Sequence, residues 1–314
     1  MLRFKRSNLP LDKKMQDFWD NNGFLVIEDF YTHEECDKLI DKSEKLTENF
    51  DAESVKSIFD TKNQNHVDDK YFLESGDKIR FFFEDKAFDN EGNLVNDKKF
   101  VINKIGHALH DLDEDFYHFS HRSDLDEIAK NINISKPLLL QSMYIFKQPN
   151  IGGEVVCHQD STFLYTEPES AVGFWVALED ANIDNGCLWV APGGHKGPLR
   201  KLFTKIDNVM TLKTLDNTPF EKTTTPLEVK KGSLVMLHGR LPHYSCENKS
   251  SKSRHAYTIH IIDGNSFYPN TNWLQRNNFP LKGFLSKSDM TIASRSDSRL
   301  SRILTNSCVN VPTV

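Results

Sequence analysis

The stretch PLLLQSMYIFKQPNIGGEVVCHQD, residues 137–160, changes the texture of the chain and decides the fold that the sequence predicts. It opens with a long apolar run, residues 138–146, and a turn containing Gly152 and Gly153 follows. Val155 and Val156 then suit a short β-strand. From this point on, short apolar runs alternate with turns rich in Gly, Pro, Asn and Asp. Closely spaced strands separated by turn signals predict a β-sandwich or a β-barrel.

The predicted strands extend in both directions from this stretch. Downstream and including it, strands are predicted at residues 155–158, 172–178, 187–191, 227–229, 233–238, 244–246 and 256–262. Upstream, residues 24–27 and 80–83 have the apolar character of short buried strands. No internal repeat accompanies these strands, so the pattern favours a single sandwich over a repeat array.

Helical spacing of apolar residues is confined to the amino-terminal part of the chain. It predicts a helix around Met15 that stops at Gly23, a helix opened by a Thr32–Glu35 capping box, a helix over residues 105–112 and a helix capped by Ser123. We therefore predict a mainly β (α+β) fold, a double-sheet, cupin-like jelly roll with amino-terminal helices packed on it. We assign residues 15–280 to one domain and residues 281–314 to a polar carboxy-terminal tail.

Composition excludes several classes of protein. The 314 residues carry a formal net charge of −6, which argues against sequence-independent binding to nucleic acid. No apolar run reaches the length of about 20 residues that a membrane helix needs. The five cysteines are scattered without a C-x-x-C pair, which is typical of reduced thiols in the cytoplasm. The chain ends in VPTV, which is not a peroxisomal signal of the Ser-Lys-Leu type.

His158 and Asp160, two positions apart at the end of the strand at 155–158, are candidate metal ligands. On a strand such residues share a face with their Cα atoms roughly 6.5–7 Å apart. The H-x-D pattern alone is weak evidence, because two such residues often fall close together by chance. His243, which opens the run HYSCEN, is our candidate for the third ligand, and His238 is its rival. Two His and one carboxylate on one face of a metal are the signature of non-heme Fe(II) oxygenases, whereas zinc more often has three or four protein ligands.

Arg254 opens the apolar run RHAYTIHII and points to a second component of the site. A charged residue at the start of a buried strand needs a counter-ion, and the guanidinium fork matches a carboxylate. If the other end of the same molecule chelates the iron, the molecule is a keto-dicarboxylate, and 2-oxoglutarate fits. The alternative is a surface arginine in the basic run at 249–254.

The text around these residues resembles the phytanoyl-CoA dioxygenase family. The resemblance runs from about residue 18 to about residue 273. It is carried by HQDSTFLYTEPESAVGFWVALEDANIDNGCLWVAPGGH (158–195), YFLESGDKIRFFFE (71–84), NKIGHALH (103–110) and QSMYIFKQP (141–149). These segments discriminate far better than the three candidate ligands alone.

The resemblance implies a double-stranded β-helix, an Fe(II) cofactor, 2-oxoglutarate as co-substrate and O2. It also implies contacts with 2-oxoglutarate from Lys104, Met143, Trp175, Ser245 and Arg254, the last of which takes the distal carboxylate. Halogenating relatives replace the ligand carboxylate with a small residue, so the retained Asp160 favours hydroxylation. Two of these contacts have alternatives: Lys104 as an exposed residue at a helix start, and Trp175 as a core residue.

The sequence thus predicts a dioxygenase that decarboxylates 2-oxoglutarate to succinate and CO2 and hydroxylates a small or acyl-type substrate. The alternative is a jelly-roll sensor that binds metal and 2-oxoglutarate without hydroxylating a primary substrate. No basic cluster marks a coenzyme A phosphate site, and the oligomeric state is not predicted. The pairs His107/His110 and His118/His121 have metal-like spacing, but we expect solvated or core-edge residues there.

Overall fold

β-Strands dominate the computed structural model, which describes residues 2–59, 61 and 69–285. The strands are β1 (Phe4–Lys5), β2 (Phe24–Glu28), β3 (Ile79–Phe83), β4 (Ile102–His107), β5 (Pro137–Ile145), β6 (Val155–His158), β7 (Val172–Ala177), β8 (Leu188–Val190), β9 (Lys201–Ile206), β10 (Val209–Thr214), β11 (Thr225–Leu227), β12 (Leu234–His238), β13 (His243–Ser245) and β14 (Ala256–Asp263). The helices are α1 (Lys13–Asn22), α2 (His33–Asn49), α3 (Lys70–Leu73), α4 (Leu109–Leu112), α5 (Glu114–Ser120) and α6 (Ser123–Asn131).

Two sheets pack face to face. The larger has eight strands in the order β1-β2-β12-β7-β14-β5-β4-β3, and the smaller has four in the order β11-β8-β13-β6. Leu188 and Val190 of the smaller sheet share a hydrophobic cluster with Trp175 and Val235 of the larger. This arrangement confirms the predicted double-sheet jelly roll, and a separate β9–β10 hairpin lies beside it.

The helices cover the outer face of the eight-stranded sheet. Because side chains alternate along a strand, Phe174 and Val176 of β7 face outward while Trp175 faces the smaller sheet. The outward residues join Trp19 of α1 and Leu39 of α2 in the largest hydrophobic cluster. The inner face is thereby left for the candidate site.

The ends of the first two helices form as the sequence predicts. Gly23 ends α1 in the left-handed conformation, φ 76°, and its N–H donates to the carbonyl of Trp19. Thr32 and Glu35 form the expected capping box at the start of α2, with reciprocal bonds of 2.8 and 3.1 Å.

Two helix predictions are wrong. The predicted helix over residues 105–112 is strand β4 followed by the short α4, because β4 is hydrogen-bonded on both sides, to β3 and to β5. Its residues are buried on both faces, which produces an apolar pattern that spacing alone cannot distinguish from a helix. Ser123 does not cap α6, since the cap position is Arg122 and no side chain bonds there.

The described end of the chain lies against the larger sheet. Lys282 forms an isolated bridge with Leu139, and Phe284 packs on the largest hydrophobic cluster. Most of the predicted polar tail, from residue 286 to residue 314, lies outside the described residues. None of the helices in the described ranges combines the length and the hydropathy needed to cross a bilayer.

Candidate metal centre and co-substrate pocket

Strands β6 and β13 are adjacent and bring His158 opposite His243 in the ladder. Asp160 completes the group: its Oδ1 lies 3.5 Å from His158 Nε2 and 3.7 Å from His243 Nε2. The three ligand atoms all lie within 4.8 Å of one another, which is close enough for one metal ion to bind all three.

Asp160 reaches this position in a different way from the one expected. The sequence places it on the same strand face as His158, but β6 ends at His158, and Asp160 opens a one-turn 3₁₀ helix, Asp160–Thr162. The N–H of Ser161 donates to the carbonyl of Gly239, on the loop after β12, and this hydrogen bond stabilises the turn of the backbone. The carboxylate therefore approaches the two imidazoles from the side of the strand end.

Both histidines are oriented by backbone carbonyls. His158 Nδ1 lies 2.8 Å from the carbonyl oxygen of Val156, and His243 Nδ1 lies 2.9 Å from that of Leu241. A carbonyl can only accept, so each Nδ1 carries a proton, and each Nε2, the nitrogen left for a metal, lies on the side of Asp160. This second layer of bonds is the arrangement that metal-binding histidines typically have.

The charge state of the three groups suits a divalent metal. Burial acts to raise the pKa of Asp160, but the adjacent imidazoles of His243, His260 and His158 hold that pKa well below its ordinary value. Burial lowers the pKa of His243 to about 4, so its imidazole is neutral at pH 7. Burial acts to lower the pKa of His158, but Asp160 outweighs burial and raises that pKa. A carboxylate and two imidazole nitrogens, from which a bound metal would displace any proton on Nε2, form the donor set that fits Fe(II), so the residues present match the cofactor.

His260 is a site residue that the sequence reasoning missed. Its Nε2 lies 3.2 Å from Asp160 Oδ2, and its Nδ1 lies 3.2 Å from the side-chain amide of Gln141. The amide donates to Nδ1, so Nε2 carries the proton that it shares with Asp160. The signal was available: Thr258 and His260 are the polar residues of an apolar strand, and they share a period of two with Arg254.

His238, the rival ligand, lies elsewhere. Its ring packs 5.0 Å from that of His195 and 6.0 Å from that of Trp19, and its Nδ1 accepts from the N–H of Arg240 at 3.1 Å. The histidine is a strand-end residue bonded to backbone. The structure thus brings His243, and not His238, to His158.

Arg254 is buried next to the candidate metal centre. Only 2% of the residue is exposed, so the alternative of a surface arginine is wrong. Its Nε and Nη1 have no hydrogen-bond partner among the described residues. Burial lowers the pKa of the guanidinium to about 10, which still leaves it charged at pH 7. A buried cation with unpaired donors is costly unless an anion binds it, and a carboxylate supplies both the negative charge and acceptor oxygens.

The other predicted 2-oxoglutarate contacts lie around Arg254 and the metal centre. The ring of Trp175 lies 5.3 Å from the guanidinium. Lys104 is on β4 and buried, not exposed at a helix start, and its Nζ lies 3.1 Å from the centre of the Phe59 ring and 3.8 Å from Met143 Sδ. Burial holds the pKa of Lys104 well below its ordinary value. Trp175 is at once a core residue and a wall of the pocket.

One cavity of about 240 Å³ joins all of these groups. The three candidate ligands, Lys104, Met143, Trp175, Ser245 and Arg254 line one part of it. The remaining side, here called the aromatic wall, consists of Phe59, Phe72, Phe163, Phe203, Phe220 and Trp273. Phe72 and Trp273 stack at 4.5 Å within it. The cavity therefore has a polar end next to Arg254 and an apolar side facing the metal centre.

The histidines with metal-like spacing join no metal cluster in the described ranges. His118 is exposed, as expected, whereas His107, His110 and His121 are more buried than expected. His107 Nδ1 lies 2.7 Å from Ser75 Oγ, and His110 Nδ1 lies 2.8 Å from Ser142 Oγ. His110 also pairs with Asp111 at 3.1 Å. These side chains hold the helices to the sheet.

Comparisons with known proteins agree with this geometry. The sequence profile of the family described as Phytanoyl-CoA dioxygenase (PhyH) matches residues 19–256. The chain is 47% identical over 265 residues to a phytanoyl-CoA dioxygenase of Arabidopsis thaliana, covering 84% of this chain and 93% of that protein. It is 44% identical over 281 residues to phytanoyl-CoA dioxygenase domain-containing protein 1 of Danio rerio, covering 84% and 94%.

Solved structures share the fold at low sequence identity. The non-heme alpha-ketoglutarate-dependent carbocyclase SnoK is similar with a TM-score of 0.57 and 17% identity, covering 88% of this chain and 94% of that one. The epimerase SnoN, solved with Fe3+, alpha-ketoglutarate and nogalamycin RO, is similar with a TM-score of 0.57 and 12% identity, covering 88% and 96%. A carbocyclase and an epimerase on one fold show that the fold does not determine the outcome of the reaction.

Proposed function

The chain belongs to the phytanoyl-CoA dioxygenase family and is a non-heme iron, 2-oxoglutarate-dependent oxygenase, and from this premise we propose that it hydroxylates a small or acyl-type substrate. Bound iron, with 2-oxoglutarate and O2, supplies oxidative decarboxylation to succinate and CO2 and the transfer of one oxygen atom to a C–H bond. The observation that carries the proposal is the meeting, in one cavity, of the His158–Asp160–His243 group and a buried guanidinium with unpaired donors.

We assign a role to each side chain from its position in the cavity. His158, Asp160 and His243 would hold the iron, and the carbonyls of Val156 and Leu241 fix the two imidazoles. The predicted contacts Lys104, Met143, Trp175, Ser245 and Arg254 would orient 2-oxoglutarate. Arg254 suits the distal carboxylate, because it is a buried cation with N–H donors that have no partner among the described residues.

Hydroxylation is proposed over halogenation because of Asp160. Its carboxylate occupies the position between the two imidazoles that a halide ion would need. His260 Nε2 lies 3.2 Å from the second carboxylate oxygen, and this contact limits rotation of the carboxylate out of that position.

The aromatic wall supports a substrate whose reacting part is apolar. Phe163 lies beside the metal centre, with its ring 6.1 Å from that of His158, and Phe203 continues the wall at 5.9 Å from Phe163. An apolar body placed there excludes water from the reacting C–H group. Both a small hydrophobic molecule and an acyl chain satisfy this surface, and the family name alone does not choose between them.

A small-molecule substrate and a cytoplasmic location complete the proposal. The cysteines in the described ranges, Cys36, Cys157, Cys187 and Cys246, are all free thiols, which supports a reducing compartment. Cys308 lies outside the described residues. Fractionation of cells tests the location.

Succinate release tests the function and separates it from the sensor alternative. Purified protein is incubated with Fe(II), 2-oxoglutarate and O2, alone and with a library of apolar acids, acyl thioesters and cyclic compounds. We expect succinate above that of a His158→Ala control, and a product heavier by one oxygen atom when the correct substrate is present. If succinate never exceeds the control, the protein is a binding module and the proposal is wrong.

A further inference from the structure

Lys147 is a buried lysine in the polar end of the cavity to which the sequence reasoning gave no role. It follows β5, is 2% exposed and lines the cavity. Its Nζ donates to the hydroxyl oxygen of Ser245 at 2.9 Å and to the carbonyl of Gly153 at 2.6 Å. The ammonium has three N–H donors, so one remains for another partner.

The backbone at Lys147 is held in an unfavourable conformation. Its φ is +42°, in the left-handed region that residues with a side chain seldom adopt. The carbonyl of Lys147 accepts from Asn248 Nδ2 at 2.9 Å and from the N–H of Arg254 at 3.3 Å. The same peptide therefore positions both Lys147 and Arg254. Strained residues of this kind persist where the surroundings enforce them and often mark binding sites.

Gly186, which has no side chain, leaves room for the side chain of Lys147. Gly186 has a φ of +80°, and a Cβ at that position would lie 2.8 Å from Lys147 Cε. A larger residue there would displace the lysine side chain from the cavity.

When Lys147 is protonated, two cations lie in the polar end of the cavity with too little negative charge. Within the described ranges, neither Lys147 nor Arg254 has an ion pair with a carboxylate. Glu84 is the buried acid nearby: its Oε2 accepts from Asn103 Nδ2 at 2.8 Å and from the N–H of Gly153 at 3.0 Å, and its Oε1 has no hydrogen-bond partner among the described residues, so it is hydrogen-bonded to neither cation. With Glu84 ionised, the two cations leave one positive charge for a ligand.

We propose that Lys147 is a second cationic anchor for the distal carboxylate of 2-oxoglutarate, beside Arg254, an inference that rests on the proposed function. Because Ser245 accepts from Lys147, its own O–H is free to donate to the same carboxylate. Lys147, Ser245 and Arg254 then present donors to one anion, and a 2-oxo acid without the distal carboxylate leaves them unpaired.

Proton uptake is an independent consequence. Burial and the charge of Arg254 lower the pKa of Lys147 to about 7, while Glu84, Cys246 and Glu154 act to raise it. At pH 8 the amine is mostly neutral before binding. A carboxylate placed on it favours the charged form, so binding of 2-oxoglutarate takes up part of a proton at this pH.

Anaerobic calorimetry with the Mn(II)-loaded full chain tests the inference. Binding of 2-oxoglutarate is compared with binding of 2-oxopentanoate, which has a methyl group in place of the distal carboxylate, in the wild type, in Lys147→Met and in the control Lys201→Met. Lys201 lines the exposed mouth of the same cavity. We expect Lys147→Met to weaken the binding of 2-oxoglutarate roughly 10- to 100-fold and to leave the binding of 2-oxopentanoate unchanged. The proton uptake, measured by repeating the titration in buffers of different ionisation heat, should be abolished.

Other outcomes overturn the inference. If the binding of both ligands weakens equally, Lys147 has only a structural role. If the binding of 2-oxoglutarate does not change, Arg254 alone is enough to hold the distal carboxylate. If Lys147→Met does not fold, Lys147→Gln, which can still donate to Gly153, replaces it with the same expectations. Failure of the wild type to bind 2-oxoglutarate at all would instead reject the proposed function, and with it this inference.

Discussion

At the scale of single residues, the candidate site depends on contacts that fix the orientation of the three candidate metal-binding side chains. The two imidazoles donate through Nδ1 to carbonyls, and Asp160 is held by His260. His260 is itself oriented by Gln141. Each ligand therefore has one orientation in which its lone pair faces the metal position.

Removing His260 should loosen the carboxylate. In His260→Ala the Oδ2 of Asp160 loses the imidazole that lies 3.2 Å from it, and we expect affinity for Fe(II) to fall roughly 10- to 100-fold. Anaerobic Fe(II) titration measures this, with His107→Ala, a cavity histidine that lies outside the metal cluster, as control. Wild-type affinity in His260→Ala would contradict the positioning role.

Arg254 is expected to act on the co-substrate alone. Arg254→Lys keeps the charge but removes the fork, so the KM for 2-oxoglutarate should rise by roughly ten-fold or more. The KM of the primary substrate should not change, because the aromatic wall is untouched. Steady-state kinetics that showed the reverse pattern would mean that Arg254 contacts the substrate.

At the scale of elements, the buried carboxylate of Asp111 forms ion pairs that join the segment after β14 to α4. Asp111 of α4 pairs with Arg276, and its Oδ1 lies 3.2 Å from Lys282 Nζ. The side chain of Asp111 is 1% exposed. Trp273 of the aromatic wall lies on the same segment. The ion pairs thus connect the helical layer to one boundary of the cavity.

Asp111→Asn should destabilise the fold by about 3–5 kcal/mol, because it leaves the buried guanidinium of Arg276 without its counter-ion. Burial acts to raise the pKa of Asp111, but His110 and Arg276 lower it far below the ordinary value. A depressed folded-state pKa means that this stability is present above the unfolded pKa of about 4 and is lost as the pH falls below it. Urea unfolding at several pH values should therefore show the variant and the wild type converging in acid. A constant difference would exclude the ion pairs as the cause.

At the scale of the whole molecule, sequence reasoning predicted the architecture better than it predicted individual contacts. Turn signals and short apolar runs predict a double-sheet fold, because period-two patterns and Gly or Pro turns are local. Strand β4 was mistaken for a helix because burial on both faces hides the strand period. The β9–β10 hairpin was missed, although Asp207 and Asn208 form its left-handed turn.

The candidate site was predictable only where a motif or a resemblance supplied it. His158, His243 and Arg254 meet in one cavity, as expected from the sequence. His260 and Lys147 were missed because their partners, Asp160 and Ser245, are about 100 positions away and come together only in the folded sheets. Such contacts depend on strand register, which local patterns do not determine.

The measurement that tests the central claim most directly is anaerobic binding of 2-oxoglutarate with and without Fe(II). We expect each chain to bind one molecule of 2-oxoglutarate, and to bind it tightly only when Fe(II) is present. His243→Ala should lose this dependence, whereas His238→Ala, the matched strand-end histidine, should keep it. Binding that is equally tight without Fe(II), or that survives in His243→Ala and fails in His238→Ala, would contradict the assignment of the metal centre.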